Sequence, residues 1–410
     1  MDSDCEIQSK RIKSKQEDDN QSTSRIETLP REIVFDILSK LPISSLVQFK
    51  YVCRAWRVLT QDPSLVDLYN SRTEEENPCL VFHCDFPIRN QLYFVDFQAD
   101  RDDEKQAVKR IQTPFCSSMP EFDVIGSCNG LLCLSDSLYN EGLYVYNPFT
   151  RDYRELPKTN QFQNREVVFG FGFHPRTKEY KVVKIIYYEN GYRGLRNRFR
   201  ISSSEVQVFT LGSSRWRSLG KVSHDLHKWP TAQVLVHGRL HWVTGPRRHR
   251  TGRNVVSFDL GDEKFREVPR PDVVGLRRCE YHLFVMRGCL SAAFGFSNGK
   301  LEIWVMKEYG VKESWVKEFV IANYTPKAIK QEVIQPSFCV SKVRGKSVRV
   351  LCVLRSGEIL LEYKEKSRAL VLHNPNTRKF KDLMFQGMPN WFQTVVHVGS
   401  LNQIDTLIGM

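Results

Sequence analysis

No stretch of this sequence approaches the ~18 uninterrupted apolar residues that a membrane-spanning helix needs. The opening residues, MDSDCEIQSKRIKSKQEDDNQSTSR, carry both signs of charge and no apolar core, so they do not form a secretory signal. The expected location is therefore nucleus and/or cytoplasm, with no membrane partner. "KRIKSK" (Lys10 to Lys15) resembles a short nuclear signal, although such runs are more often solvated tail. No CxxC pair occurs among the eleven cysteines. They are scattered through apolar stretches such as Leu132-Cys133-Leu134 and Leu351-Cys352-Val353, the pattern of reduced thiols buried as small hydrophobes. Cys128 and Cys133 lack a matching second pair, so no zinc is expected, nor any other cofactor.

What is present in excess is positive charge. The 410 residues hold 60 Lys+Arg against 47 Asp+Glu, a net charge of +13. That suits acidic partners, although where the charge stands matters more than its sum. The length allows two domains, and 41% hydrophobic residues can fill a substantial core.

Residues 1–24 are polar and poor in aromatics, the composition of a disordered tail. From Ile26 the pattern turns helical. Leu29-Pro30 opens a first helix, and Val34, Ile37, Leu38 and Leu41 recur at three- and four-residue steps. Leu41-Pro42 stops it, and Ser44 or Ser45 can cap the next. Leu46, Phe49, Val52, Cys53, Trp56 and Leu59 continue the apolar spacing, and Asp62-Pro63 opens another helix. The spacing predicts three or four short helices over residues 25–71. A unit so small has more apolar residues than it can bury alone, so a helical partner is expected. The polar residues 72–78 read as a linker.

Beyond residue 79 the helical period disappears and short β-rich runs alternate with turns. One unit recurs: an alternating strand, a polar turn, then an aromatic opening a second strand. It reads "LYVYNPFTRDYRELP" (Leu143 to Pro157), "VQVFTLGSSRWRSLG" (Val206 to Gly220) and "VVSFDLGDEKFREVP" (Val255 to Pro269). Looser copies run from Leu301 to Phe319 and from Leu370 to Phe385. Tyr153, Trp216, Phe265, Trp315 and Phe380 mark equivalent places, at intervals of 63, 49, 50 and 65 residues. Upstream of several copies stand two strands joined by a glycine turn, as in "GSCNGLLCLSD", "AQVLVHGRLHWVTG" and "FVMRGCLSAAFGF". Together these make four strands, one propeller blade. Residues 79–98 supply strands of another blade, and Thr394 to Leu401 the strand that closes the ring. The expected fold is mainly β with a small α N-terminal domain: helices, then an irregular six-bladed β-propeller over 79–410. An open β-sandwich array is the alternative.

"LPREIVFDILSKLPISSLVQFKYVCRAW" (Leu29 to Trp56) closely resembles the F-box pattern. The rest resembles the F-box-associated domain of the large plant F-box family, in "GSCNGLLCL", "YVYNPFTRDYRELP", "FGFGFHPRTKEYKVVKI", "VQVFTLGSSRWRSL" and "GRLHWV". The absence of any Gly-Gly doublet sets it apart from true kelch repeats, so kelch-like describes the architecture alone. The resemblance implies a non-catalytic substrate-recognition subunit of a Skp-cullin-F-box ubiquitin ligase. In such an assembly the F-box docks on a Skp-type adaptor, and through it on cullin and RING subunits. The C-terminal domain holds a target protein for ubiquitination, supplying proximity and orientation. Carried over by position, Leu29, Pro30, Ile33, Ile37, Leu38, Leu41, Pro42, Leu46, Val52, Cys53 and Trp56 serve the adaptor interface or the small F-box core. Leu29, Pro30, Leu41 and Pro42 are the expected contacts. The alternative function is a propeller that binds a small ligand or glycan, with the F-box acting outside a ligase.

Loops joining the second and third strands of a blade emerge on one face of the ring. Two such loops are basic: Asn190 to Arg200, with Arg193, Arg196, Arg198 and Arg200, and Gly245 to Arg253, with Arg247, Arg248, Arg250 and Arg253. On adjacent blades they would make a positive patch for an acidic or phosphorylated target, because arginine forks match carboxylate and phosphate. The plainer reading is two solvated loops. No nucleic-acid motif accompanies them, so nucleic acid is not the expected partner. Other constellations carry little chemistry. His237 and His241 have HxxxH spacing, but Gly238 lies in a turn between them and no third ligand is evident. "FGFGF" (Phe169 to Phe173) precedes no helix, so it is read as a tight inner strand where small residues let blades crowd the axis. "GSCNG" holds a serine and a cysteine to which the sequence assigns no histidine.

Overall fold

The computed structural model describes residues 29–73, 78–84, 89–97, 106–138, 142–158, 166–189, 201–226, 233–244, 254–273, 279–330, 347–365 and 367–407. They fall into two compact units, Met1–Glu75 with Ser400–Asn402 and Glu76–Gly399 with Gln403–Met410.

The first unit holds four helices: α1 (Arg31–Leu38), α2 (Ile43–Phe49), α3 (Arg54–Thr60) and α4 (Pro63–Thr73). Pro30 and Pro42 stand at the N-caps of α1 and α2, with extended ψ of 136° and 143°. Proline's fixed φ suits a helix start, and its missing N–H would be unsatisfied there in any case. The second helix therefore begins before Ser44 and Ser45, which lie inside it instead of capping it. At α4 the Asp62 carboxylate accepts the Ser64 amide at 2.9 Å. Val34, Phe35, Leu38, Ile43, Leu46, Leu65, Val66 and Tyr69 form the small core. Arg72 on α4 ties back to α1, meeting the Asp36 carboxylate at 2.6 Å and its carbonyl at 3.0 Å. Hydrogen bonds from Lys40 and Arg72 hold the Asp36 carboxyl below the usual carboxylate range.

The second unit is a ring of six four-stranded antiparallel sheets. The chain enters it at β1 (Cys79–Cys84), β2 (Leu92–Val95) and β3 (Lys109–Ile111). Blade 1 is β4 (Phe122–Cys128), β5 (Leu131–Asp136), β6 (Leu143–Tyr146) and β7 (Tyr153–Glu155). Blade 2 is β8 (Glu166–His174), β9 (Glu179–Glu189), β10 (Ile201–Thr210) and β11 (Arg217–Gly220). Blade 3 is β12 (Val234–Val236), β13 (Arg239–Val243), β14 (Val255–Asp259) and β15 (Phe265–Val268). Blade 4 is β16 (Glu280–Met286), β17 (Cys289–Gly295), β18 (Leu301–Met306) and β19 (Trp315–Ile321). Blade 5 is β20 (Ser347–Val353), β21 (Ile359–Lys364), β22 (Arg368–His373) and β23 (Phe380–Leu383). Blade 6 takes its first strand, β24 (Phe392–His397), from the far end of the chain. It pairs with β1 from Cys79↔His397 to Cys84↔Phe392, closing the ring with the strand expected for it.

The repeating aromatic marks the outer strand of each blade. Tyr153, Phe265, Trp315 and Phe380 are the first residues of β7, β15, β19 and β23, and Trp216 stands one before β11. The polar turn before it has one construction in three blades. The side chains of Asn147, Asp259 and Asn374 each accept two backbone amides of their own turn. Four residues further on, Arg151, Glu263 and Arg378 take φ of 63°, 58° and 58°. The glycine turns joining first to second strands have positive φ at both residues of Asn129-Gly130, His237-Gly238 and Arg287-Gly288. This is the type I′ geometry that follows the natural strand twist.

Each blade packs on the next through its flat face, and "FGFGF" shows how. A side-chain carbon added at Gly170 would lie 2.7 Å from Trp242, and one at Gly172 would lie 2.8 Å from Leu235, both in blade 3 or its approach. The glycines thus admit the neighbouring blade, a more specific role than crowding the axis. Polar side chains join the inner strands. Gln233 donates to the Phe171 carbonyl at 2.9 Å and accepts its amide at 2.7 Å, imitating a ladder pair. His282 accepts the Val350 amide at 2.9 Å. Glu362 on β21 accepts both the amide and the hydroxyl of Thr394 on β24, each at 2.9 Å.

Antiparallel order fixes two faces. First-to-second and third-to-fourth turns share one, here the turn face. Second-to-third loops and blade-to-blade connections share the other. Cys79 lies opposite His397, the end of a first strand, so the chain comes into the ring on the turn face.

Candidate adaptor-docking site

The eleven residues expected at the adaptor divide by exposure. Leu38 and Leu46 are buried, at 1% and 0%. Leu41 and Trp56 are half-buried, and Trp56 rests against Phe49 with ring centroids 4.8 Å apart. Leu29, Pro30, Ile33, Ile37, Pro42, Val52 and Cys53 are exposed. Ile33 and Ile37 lie one turn apart on α1, so α1 is apolar on two faces. Val34, Phe35 and Leu38 fill the core, while the isoleucines face outward at 48% and 51% exposure. Tyr51, Val52 and Val58 add a further exposed apolar group, at 68%, 65% and 61%. Tyr51 and Val58 are exposed apolar residues that sequence reasoning did not single out. The available signal was an apolar run, Phe49 to Leu59, denser than one helix face can use. Large side chains left in water on so small a unit form an exposed apolar surface of the kind that protein partners cover.

The arginines 193, 196, 198, 200, 247, 248, 250 and 253 lie outside the described residues. The strands flanking them are β9 and β10, then β13 and β14, the second and third strands of neighbouring blades.

The other constellations resolve into structural contacts. His237 sits in its turn, while His241 is fully buried, with Nδ1 3.2 Å from the Val234 carbonyl and Nε2 2.7 Å from the Tyr309 hydroxyl. Burial pushes the His241 imidazole down to about 4. "GSCNG" does meet a histidine, which the sequence could not place: Ser127 Oγ lies 2.9 Å from Nδ1 of His397, 270 residues away. Burial holds His397 down to about 3, and its Nε2 has no partner among the described residues. Among the described residues no carboxylate meets its Nε2, so the pair lacks the orienting third group that a nucleophile-activating histidine uses. Burial likewise pushes the Cys128 thiol of the same motif up to about 12.

Comparisons with known proteins match the two parts of the chain to two family profiles. An F-box-like family profile matches residues 26–66. The profile described as F-box associated beta propeller domain matches residues 79–406, most of the chain. This chain is an F-box protein. It is 52% identical over 397 residues to F-box protein At3g07870 of Arabidopsis thaliana, covering 93% of each chain. It is 27% identical to F-box protein CPR1 of the same plant, over 91% of this chain and 88% of that one. It is 25% identical to F-box/kelch-repeat protein At3g23880, over 72% and 80%. Among solved structures, TolB from Acinetobacter baumannii aligns with a TM-score of 0.44 at 8% identity, over 84% of this F-box protein and 73% of that chain. No helix among its described residues is long and apolar enough to cross a membrane.

Proposed function

We propose that this F-box protein is the substrate-recognition subunit of a Skp-cullin-F-box ubiquitin ligase. The observation that carries this is the apolar surface of the helical unit. Leu29, Pro30, Ile33, Ile37, Pro42, Val52 and Cys53 are the adaptor contacts, joined by Tyr51 and Val58. Leu41 and Trp56 stand at the margin, and Leu38 and Leu46 support the surface from beneath. Covering a large apolar side chain fully is worth roughly 1.5–3 kcal/mol. Several half-covered ones can therefore supply a stable association. The test is capture of a Skp-type adaptor and cullin by the full chain. Ile33→Asp with Ile37→Asp should abolish capture while leaving the propeller folded. Leu41→Ala with Pro42→Ala should weaken it. A full chain that never captures an adaptor would refute the reading.

The propeller's part is to hold a target protein, and the second-to-third loops of blades 2 and 3 are the proposed contact. Arg193, Arg196, Arg198, Arg200, Arg247, Arg248, Arg250 and Arg253 suit an acidic or phosphorylated segment. Reversing them to glutamate should abolish target capture without altering adaptor capture. Undiminished target capture would remove the loops from the site.

A further inference from the structure

Charged side chains on the turn face of the propeller are spent differently from blade to blade. On blades 3 and 4 most are paired, with Lys264 an exposed exception. Arg239 meets Asp259 at 2.8 Å, Lys312 meets Asp272 at 2.8 Å, and Arg266 pairs with Asp262. Glu263 takes both Lys181 and Arg217 from blade 2, and Glu318 takes Arg287 and Lys307. Blades 5, 1 and 2 differ. Arg378 and Lys379 on blade 5, Arg151 on blade 1, and Arg176, Lys178 and Arg215 on blade 2 are all exposed. None of the six makes an ion pair among the described residues. Arg151, Lys178 and Arg378 occupy positive-φ positions at 63°, 53° and 58°, where glycine or asparagine would be the less strained choice.

We propose that these turns of blades 5, 1 and 2 dock an acidic stretch of a partner protein. They are a second surface, on the side of the ring opposite the second-to-third loops proposed for the target. The six charges stand on four turns, Arg176 with Lys178 and Arg378 with Lys379 sharing one each, with the Asp405 carboxylate, 70% exposed, near Arg154 among them. A nucleic-acid strand needs a continuous basic track, usually with stacking platforms. A membrane surface needs apolar side chains beside the charges. A polypeptide can place its carboxylates where the separate turns allow.

The test uses the full chain and a fluorescein-labelled poly-glutamate peptide as probe, at about 0.1 M salt where screening is moderate. The variant R176Q/K178N/R378N/K379Q removes four charges and puts asparagine where φ is positive. It should weaken peptide binding about tenfold, the sum of four modest screened attractions. Neutralising Arg193, Arg196, Arg248 and Arg250 instead should leave this binding within about twofold. Adaptor capture should be unchanged in both variants, so failure here is distinct from failure of the ligase reading. If the fourfold variant melts lower, R176Q/K379Q, away from the positive-φ positions, should still weaken binding about threefold. Undiminished binding by both turn-face variants overturns the proposal. So does tighter binding of a single-stranded oligonucleotide, or of phosphatidylserine vesicles, that the same substitutions abolish.

Discussion

Two tryptophans hold equivalent places in the repeat and perform the same task. Trp216 Nε1 donates to the Pro157 carbonyl at 2.7 Å, and Trp315 Nε1 to the Pro269 carbonyl at 2.8 Å. Each bond joins an outer strand to the residue just past the outer strand of the preceding blade. Trp216→Phe or Trp315→Phe keeps an aromatic body and loses the donor. Each should cost about 1 kcal/mol, measured as a lower urea midpoint. Unchanged midpoints would mean that water replaces the indole. Between blades 2 and 3 the link is ionic: Glu263 meets Lys181 at 2.9 Å and Arg217 at 2.6 Å. Burial alone would raise the Glu263 carboxyl, but the hydrogen bonds from Arg217 and Lys181 outweigh it and leave it below 4.5. A depressed folded value adds stability that is present above the unfolded value of ~4.3 and is lost as pH falls through the folded one. Thermal melts taken downward from pH 5 should therefore fall more steeply for the wild type than for Glu263→Gln. Parallel slopes would show that the pair contributes nothing.

At the scale of elements, the outer strands were legible because their signals are local. An Asx turn, a positive-φ residue and an aromatic fall within seven positions of one another, as in Asn147 to Tyr153. The roles of the F-box residues were less legible. Ile37 and Leu38 are neighbours of similar hydrophobicity, and only the packed helices show that one faces water and the other the core. The two arginine loops are legible as charge and as position between strands, and in nothing finer. Contacts between distant residues left no trace in the sequence at all. Ser127 with His397 and Glu362 with Thr394 each depend on a ring that must close before the partners meet. Gly170 shows the same principle. In sequence it reads as one small residue in a strand, while the structure puts Trp242 2.7 Å from where a methyl would be. Gly170→Ala should destabilise the propeller by about 1–3 kcal/mol through overpacking. A co-substitution of Trp242 by a smaller apolar residue should recover part of the loss. Failure to recover would place the strain in the backbone of β8.

For the molecule as a whole, the decisive element is β24. Each of the other five blades is continuous in the chain, whereas blade 6 joins Phe392–His397 to Cys79–Cys84 across more than three hundred residues. The join is reinforced beyond its ladder. Arg349, 2.9 Å from the buried Glu362, also donates to the Thr394 carbonyl, so an ion pair of blade 5 grips the closing strand. Removing one partner of a fully buried pair typically costs 3–5 kcal/mol; Arg349 keeps 23% of its side chain exposed, so the loss here falls below that range. Glu362→Ala should therefore loosen blade 6 before any other. Beyond β24 the chain continues to α5 (Ile404–Leu407), where Ile404 lies in the apolar cluster shared by blades 1 and 2 and its amide donates to Asp152 at 2.7 Å. The ring is thus closed by a strand and then wedged. Hydrogen exchange read blade by blade separates the two devices. Glu362→Ala should speed exchange at the β1 amides Leu80 to Cys84 and leave β16 to β18 protected. Ile404→Ala should speed exchange along β4 and β8 and leave β1 unchanged. Uniform acceleration in both variants would mean that the six blades open as one cooperative unit, whichever contact is cut.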